Sequence, residues 1–201
     1  MYKKYDYCVF IGRMQPPHKA HIDNIRTALN LAHKAIVIFG SARSARTIKN
    51  PWTAQEREAM VRSCFTPAEQ ENIIFGSVRD YFYNDNTWVA NIQQIVAEIV
   101  GEEHKKIVLL GRYKDHTSYY LDLFPQWSRE TVASSNESLN ATDVRDSFFN
   151  DADDFKWKTL LEKCEEPVAD WLALWHTVPQ HNDVWSKLAE EWTFIQDYKK
   201  M

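Results

Sequence analysis

His18 and His21 are the residues whose types and spacing most directly invite chemistry. They lie three apart in Gly12-Arg13-Met14-Gln15-Pro16-Pro17-His18-Lys19-Ala20-His21, between an apolar run and a helical pattern. At a helix start, residues three apart share one face. The unsatisfied N–H groups of the first helical turn already form an anion site. Two imidazoles, the Arg13 guanidinium and backbone N–H groups would converge there on phosphate oxygens. Ala20 is small enough to let a phosphate or a base approach the backbone. Two other readings fit the same spacing: a pair of surface histidines, or part of a zinc ligand set. A third ligand at suitable spacing is missing, so no protein-held metal is expected.

The surrounding charge agrees with an anionic ligand. From Asn24 to Gln55 there is no acidic residue, while Arg26, Lys34, Arg43, Arg46 and Lys49 fall within the stretch. The remainder is acidic enough to leave the 201-residue chain with a net charge of -4. A basic island in an acidic protein points to a local anion rather than a long polyanion, so nucleic acid is not an expected partner. No apolar run approaches the length of about 18 residues a membrane helix needs, and no membrane partner is expected. Cys8, Cys64 and Cys164 are far apart in sequence and lack metal spacing, which reads as reduced thiols in a cytoplasmic protein.

The elements that must position these residues alternate. Cys8-Val9-Phe10-Ile11-Gly12, Ile36-Val37-Ile38-Phe39-Gly40, Ile73-Ile74-Phe75-Gly76 and Ile107-Val108-Leu109-Leu110-Gly111 are apolar, β-branched runs ending in glycine. Such runs fit parallel strands buried on both faces. Helical patterns separate them, including Ala54 to Phe65 and Trp88 to Val100. The expected fold is α/β, a doubly wound, mainly parallel sheet of Rossmann-like type with a C-terminal helical extension. Ligands of such sheets bind beyond the carboxyl ends of the strands, where these glycines lie. The expected organisation is a catalytic domain over residues 1–150 and a helical extension, packed on it, over 151–201. The tryptophans of the extension read as core packing or a homo-oligomer contact rather than a stacking platform.

Taken together, these segments resemble a known family. Gly12 to His21 is similar to the HxGH signature of the class I nucleotidyltransferases, with Ala20 in place of its glycine. The stretch from Gly40-Ser41-Ala42-Arg43 to Asn50-Pro51-Trp52-Thr53-Ala54-Gln55-Glu56-Arg57 resembles the GSA…NPFTAxER stretch of the archaeal-type nicotinamide-nucleotide adenylyltransferases. These also occur as the front half of a bifunctional enzyme fused to a Nudix hydrolase. Asp80 through Asn84 to Trp88 resembles their nicotinamide-site segment. Asn140-Ala141-Thr142-Asp143-Val144-Arg145 resembles their second phosphate motif, usually ISxTxxR.

The resemblance implies adenylyl transfer from ATP to nicotinamide mononucleotide, giving NAD and pyrophosphate. It implies His18, His21 and Arg145 as catalytic residues, with Gly12, Arg13, Lys49, Gly111, Arg112 and Thr142 at the ATP phosphates. Asp80, Asn84 and Trp88 are implied for the nicotinamide nucleotide, Trp88 by stacking on the cationic ring or else as a core residue of its helix. Mg2+ is expected to arrive with ATP, held mainly by substrate phosphates. Arg57 is expected to secure the basic loop through an ion pair. The alternatives are another HxGH transferase, acting on phosphopantetheine, FMN or a polyol phosphate, and a noncatalytic nucleotide-sensing module.

Overall fold

A computed structural model describes residues 3–102, 104–111, 116–132, 139–150 and 156–201. Contacts divide the chain into two compact units that are interleaved along the sequence. One comprises Met1–Arg13, Asp23–Arg43 and Phe65–Ser135; the other Met14–Ile22, Ser44–Cys64 and Asn136–Met201.

The first unit holds the sheet. Its strands are Tyr5–Gly12 (β1), Ala32–Phe39 (β2), Ile73–Ser77 (β3), Ile107–Gly111 (β4) and Ser128–Thr131 (β5). Helix Lys19–Leu31 (α1) starts in the second unit and runs on into the first. The spatial order is β3-β2-β1-β4-β5, every pairing parallel. The order reverses between β1 and β4, so the topological switch point lies at the carboxyl ends closed by Gly12 and Gly111. Side chains alternate across the pleat. Val9, Ile11, Ile36, Ile38 and Leu109 share one cluster with Ile92 and Val96. Cys8, Ala35, Val108 and Leu110 share another with Ala28 of α1. Both faces are thus dry, as the continuous apolar runs require.

The fifth strand had no such run. Ser128-Arg129-Glu130-Thr131 is mostly exposed and pairs on one side with β4. Glu130 ties this edge to β1 by accepting from the Tyr5 hydroxyl at 2.9 Å. Gly76 lies inside β3 rather than at its end. Gly111 leaves room for Leu121: a Cβ there would sit 2.3 Å from Cδ2 of that residue, which would have to shift.

Helices Ala54–Arg62 (α2), Pro67–Gln70 (α3) and Asp85–Val100 (α4) have sequence-coded starts. Thr53 with Glu56 and Thr66 with Glu69 form capping boxes, and Asn84 caps α4. Gly101 ends α4 at φ 77°, a conformation that favours glycine. The C-terminal helices are Ala141–Phe149 (α5), Lys156–Lys163 (α6), Glu166–Thr177 (α7) and Pro179–Lys200 (α8). In the second unit they share one core with α2, built on Trp52, Phe148, Phe149, Trp175 and Trp185. No helix among the described residues is long and apolar enough to cross a membrane.

Candidate active site

In the second unit, the chain turns at Met14 before reaching the histidines. Met14 adopts a left-handed backbone, φ 49°, which costs a residue with a Cβ about 1–2 kcal/mol. Its side chain is 1 % exposed, and that burial opposes the strain. His18 is buried and His21 half-buried. Their ring centroids lie 3.7 Å apart, with planes inclined by 32°. The His18 backbone N–H donates to Nδ1 of His21 at 3.3 Å. Nδ1 is therefore the acceptor, and the proton of the neutral ring sits on Nε2. Burial first, and then the His18 ring, hold the His21 pKa well below 6.5. At neutral pH His21 is an uncharged N–H donor, not an imidazolium.

Arg145 joins the Asn140 to Arg145 stretch to this segment. It donates from Nη1 to the Gln15 backbone carbonyl at 2.6 Å and from Nη2 to the Thr142 hydroxyl at 3.1 Å. Asn140 caps α5 by accepting from the Asp143 N–H at 2.9 Å, leaving Thr142 exposed in the first turn. The Lys163 ammonium, 2.7 Å from Asp143, holds that carboxyl below its usual range. Gln15 itself is 2 % exposed. Its amide donates to the Trp52 carbonyl at 2.7 Å and accepts from the Trp52 N–H at 3.0 Å. The histidine segment, the Asn50-Pro51-Trp52 stretch and the Thr142–Arg145 turn are thus one hydrogen-bonded assembly.

The basic loop is held from two sides. Arg46 pairs with Glu56 at 2.7 Å and donates to the Pro51 carbonyl at 2.6 Å. Glu56 also accepts from the Trp175 indole at 3.0 Å. Burial alone would raise the Glu56 carboxyl; the bonds from Arg46, Thr53 and Trp175 outweigh it and lower its pKa. Arg46 therefore makes an ion pair that secures the loop. Arg57 is fully buried and donates from Nε to the Thr53 carbonyl at 3.2 Å. Lys49 is exposed and has no ion pair among the described residues.

The first unit carries the other candidates. Arg13 is exposed beyond β1, where the Gly12 carbonyl accepts from the Gly40 N–H at 3.0 Å. Gly111 closes β4; Arg112, which follows it, lies outside the described residues. Asp80 is exposed. Asn84 spends its side-chain carbonyl as the α4 cap, accepting from the Thr87 N–H at 3.0 Å. Trp88 is half-buried in the first turns of α4. Its ring lies 5.9 Å from Tyr120 and 6.1 Å from Phe124, centroid to centroid. Packing into the core and partial exposure are both present.

Residues 9–135 match the cytidylyltransferase-like family. The chain is 42% identical over 146 residues to the nicotinamide/nicotinic acid mononucleotide adenylyltransferase of Acinetobacter baylyi, a match spanning 73% of this chain and 77% of that protein. This chain belongs to the nicotinamide-nucleotide adenylyltransferase family. A member from Pyrococcus abyssi is 30% identical over 141 residues, 68% of this chain and 69% of that protein. Among solved structures, the bifunctional NMN adenylyltransferase/ADP ribose pyrophosphatase of Francisella tularensis, complexed with AMP and a manganese ion, aligns with a TM-score of 0.82 at 28% identity. The alignment covers 98% of this chain and 55% of the Francisella protein.

Imidazole N–H, hydroxyl and guanidinium groups suit phosphate oxygens. Among the described residues no group of three His, Cys, Asp or Glu side chains is arranged to hold a metal. Asp143 and Asp146, the acids nearest Arg145 in sequence, are engaged by Lys163 and the Trp192 indole. Two of the three thiols are buried: burial pushes Cys8 and Cys164 up to about 12, and Cys164 donates to the Pro17 carbonyl at 3.5 Å. The bracing roles of Gln15, Glu56 and Trp175 were not anticipated. The capping-box spacing of Thr53 and Glu56 was a signal for one of them. The others act across long stretches of sequence and left no local trace.

Proposed function

We propose that this adenylyltransferase joins ATP to nicotinamide mononucleotide by direct in-line attack, without a covalent intermediate. The reaction of the family yields NAD and releases pyrophosphate. The attacking group is the 5′-phosphate of the mononucleotide, whose second pKa of about 6 leaves it ionised at neutral pH. No general base is needed. The protein's task is to bring two anions together, align attack on the α-phosphorus and stabilise the charge on the departing pyrophosphate. Nε2–H of His21 is assigned to the α-phosphate, with His18, Thr142 and Arg145 along the triphosphate. Arg13, Lys49 and the glycine-closed strand ends at Gly12 and Gly111 are assigned to the phosphates as well.

The observation carrying this reading is the bond from Arg145 to the Gln15 carbonyl, three residues before His18. It ties two phosphate motifs 130 residues apart in sequence into one assembly. Magnesium fits this donor set as a companion of the triphosphate, because the side chains present are phosphate donors rather than carboxylates. When bound with ATP, it would offset the charge of the triphosphate.

Trp88, Asp80 and Asn84 are assigned to the acceptor nucleotide. A half-buried indole keeps surface for a cationic pyridinium. The Asn84 NH2 group remains able to reach a substrate amide while its carbonyl caps α4. The Acinetobacter relative is a nicotinamide/nicotinic acid mononucleotide adenylyltransferase, which makes nicotinate mononucleotide a second acceptor to test.

Pyrophosphate release assayed with ATP and each acceptor tests the proposal. Turnover should require both substrates. His21→Ala should lower kcat by about 10²–10³, the cost of losing one preorganised donor. Undiminished turnover in that variant would remove His21 from the mechanism. Turnover with ATP alone would refute the reaction assigned.

A further inference from the structure

Two consecutive residues of α8 reach the two phosphate-binding segments of the second unit. Glu191 accepts from the Ile48 backbone N–H at 2.9 Å, across 143 residues of sequence. Trp192 donates from its indole to the Asp146 carboxylate at 2.8 Å. Ile48 precedes Lys49, and Asp146 follows Arg145. Adjacent helical residues diverge by about 100°, which lets one turn of α8 address two partners at once.

The Ile48 contact holds a particular piece of backbone. The Asn50 N–H closes a turn on the Thr47 carbonyl at 2.9 Å, and Lys49 lies within it. Glu191 satisfies the Ile48 N–H of that turn with a charged acceptor, a stronger bond than a neutral one. The Ile48 side chain and Trp192 pack against the same core. Arg46, pinned to Glu56 and Pro51, anchors the loop on its other flank. Glu191 thus spends its carboxylate on backbone while the Lys49 ammonium stays exposed.

We infer that α8 braces the phosphate-binding segments, with Glu191 a positioning residue for Lys49 and Trp192 one for Arg145. The inference rests on the assignment of Lys49 and Arg145 to ATP phosphates. It gives the C-terminal helix a part in substrate binding beyond core packing. Glu191 would act by keeping the turn in one conformation, so that the cost of ordering Lys49 is met before ATP arrives.

The test uses the full chain, with pyrophosphate release and amide hydrogen exchange as readouts. Glu191→Ala should raise the KM for ATP about fivefold with kcat within twofold, and should speed exchange at the Ile48 amide. Glu191→Gln keeps an acceptor oxygen and should restore both. Lys49→Ala should raise the KM for ATP, and adding Glu191→Ala to it should raise it no further. Trp192→Phe keeps an aromatic ring but not the donor, and should also raise that KM. A Glu191→Ala protein with ordinary KM and Ile48 exchange, beside a Lys49→Ala protein with raised KM, overturns the brace and leaves Lys49 assigned to ATP. So does a Glu191→Ala effect that multiplies that of Lys49→Ala. An unchanged KM in Lys49→Ala overturns the phosphate assignment and the brace with it. A melting temperature lowered in Glu191→Ala and Glu191→Gln alike, with no change in KM, reduces the contact to fold support.

Discussion

Replacing Gln15 by alanine should destabilise the protein by about 3 kcal/mol. The side chain is 2 % exposed and makes both of its amide bonds to the Trp52 backbone, at 2.7 and 3.0 Å. Truncation leaves a buried N–H and a buried C=O without these partners, at about 1–3 kcal/mol each. The simple sum is about 2–6 kcal/mol. A water entering the vacated space can recover part of it, which places the expectation in the lower half of that range. For a chain of this length, the melting temperature should fall by about 6–12 °C. Urea unfolding of the wild type and Gln15→Ala, extrapolated to water, measures the difference. The Arg145 bond goes to the main-chain carbonyl of residue 15, which survives the substitution, so activity below the melting transition should fall less than in His21→Ala. A loss below about 0.5 kcal/mol, the range of an ordinary surface change, would refute the claim that this amide ties the two segments together.

The remaining predictions concern protonation and the acceptor site. His21 has a folded pKa below its ordinary 6.5. Above 6.5 the ring is neutral in both states. Below 6.5 the unfolded chain takes up a proton that the folded site refuses, so stability falls with pH until the folded pKa is reached. This one group contributes at most about 1.4 kcal/mol per pH unit. His21→Asn should lose that share of the slope when urea unfolding is compared at pH 7.5, 6.0 and 5.0, and parallel curves for the two proteins would count against the shifted histidine. Trp88→Ala should raise the KM for nicotinamide mononucleotide about tenfold and Trp88→Phe about threefold, with the KM for ATP within twofold, if the indole faces the cationic ring. Both Michaelis constants rising together would mark Trp88 as a core residue alone.

Much of the sheet was legible because its pattern is local. Four continuous apolar runs became β1 to β4, and the dry faces seen around Val9 and Cys8 are what such runs need. β5 was not legible. Ser128-Arg129-Glu130-Thr131 is held by its ladder to β4 and by the Glu130 contacts, and an edge strand wet on most of its surface requires no apolar code. At the site, the motif residues were legible by type and spacing. Arg145 bonds Thr142 and the Gln15 carbonyl of the segment in which the His18 and His21 rings lie together. The protonation of His21 was not legible, because it depends on burial and on the His18 N–H that turns Nδ1 into an acceptor.

Periodicity was therefore enough for an α/β fold with a parallel sheet, and the resemblance of four ordered motifs to a known family supplied the nucleotidyltransferase chemistry. These signals live within a few residues of one another, where backbone preference and side-chain spacing act directly. Only the folded chain decides how the motifs are held. Gln15 meets Trp52 across 37 residues, Arg145 meets Gln15 across 130, and Glu191 meets Ile48 across 143. Such bonds form because packing brings distant backbone groups together and burial makes leaving them unsatisfied costly. No window of sequence contains both partners.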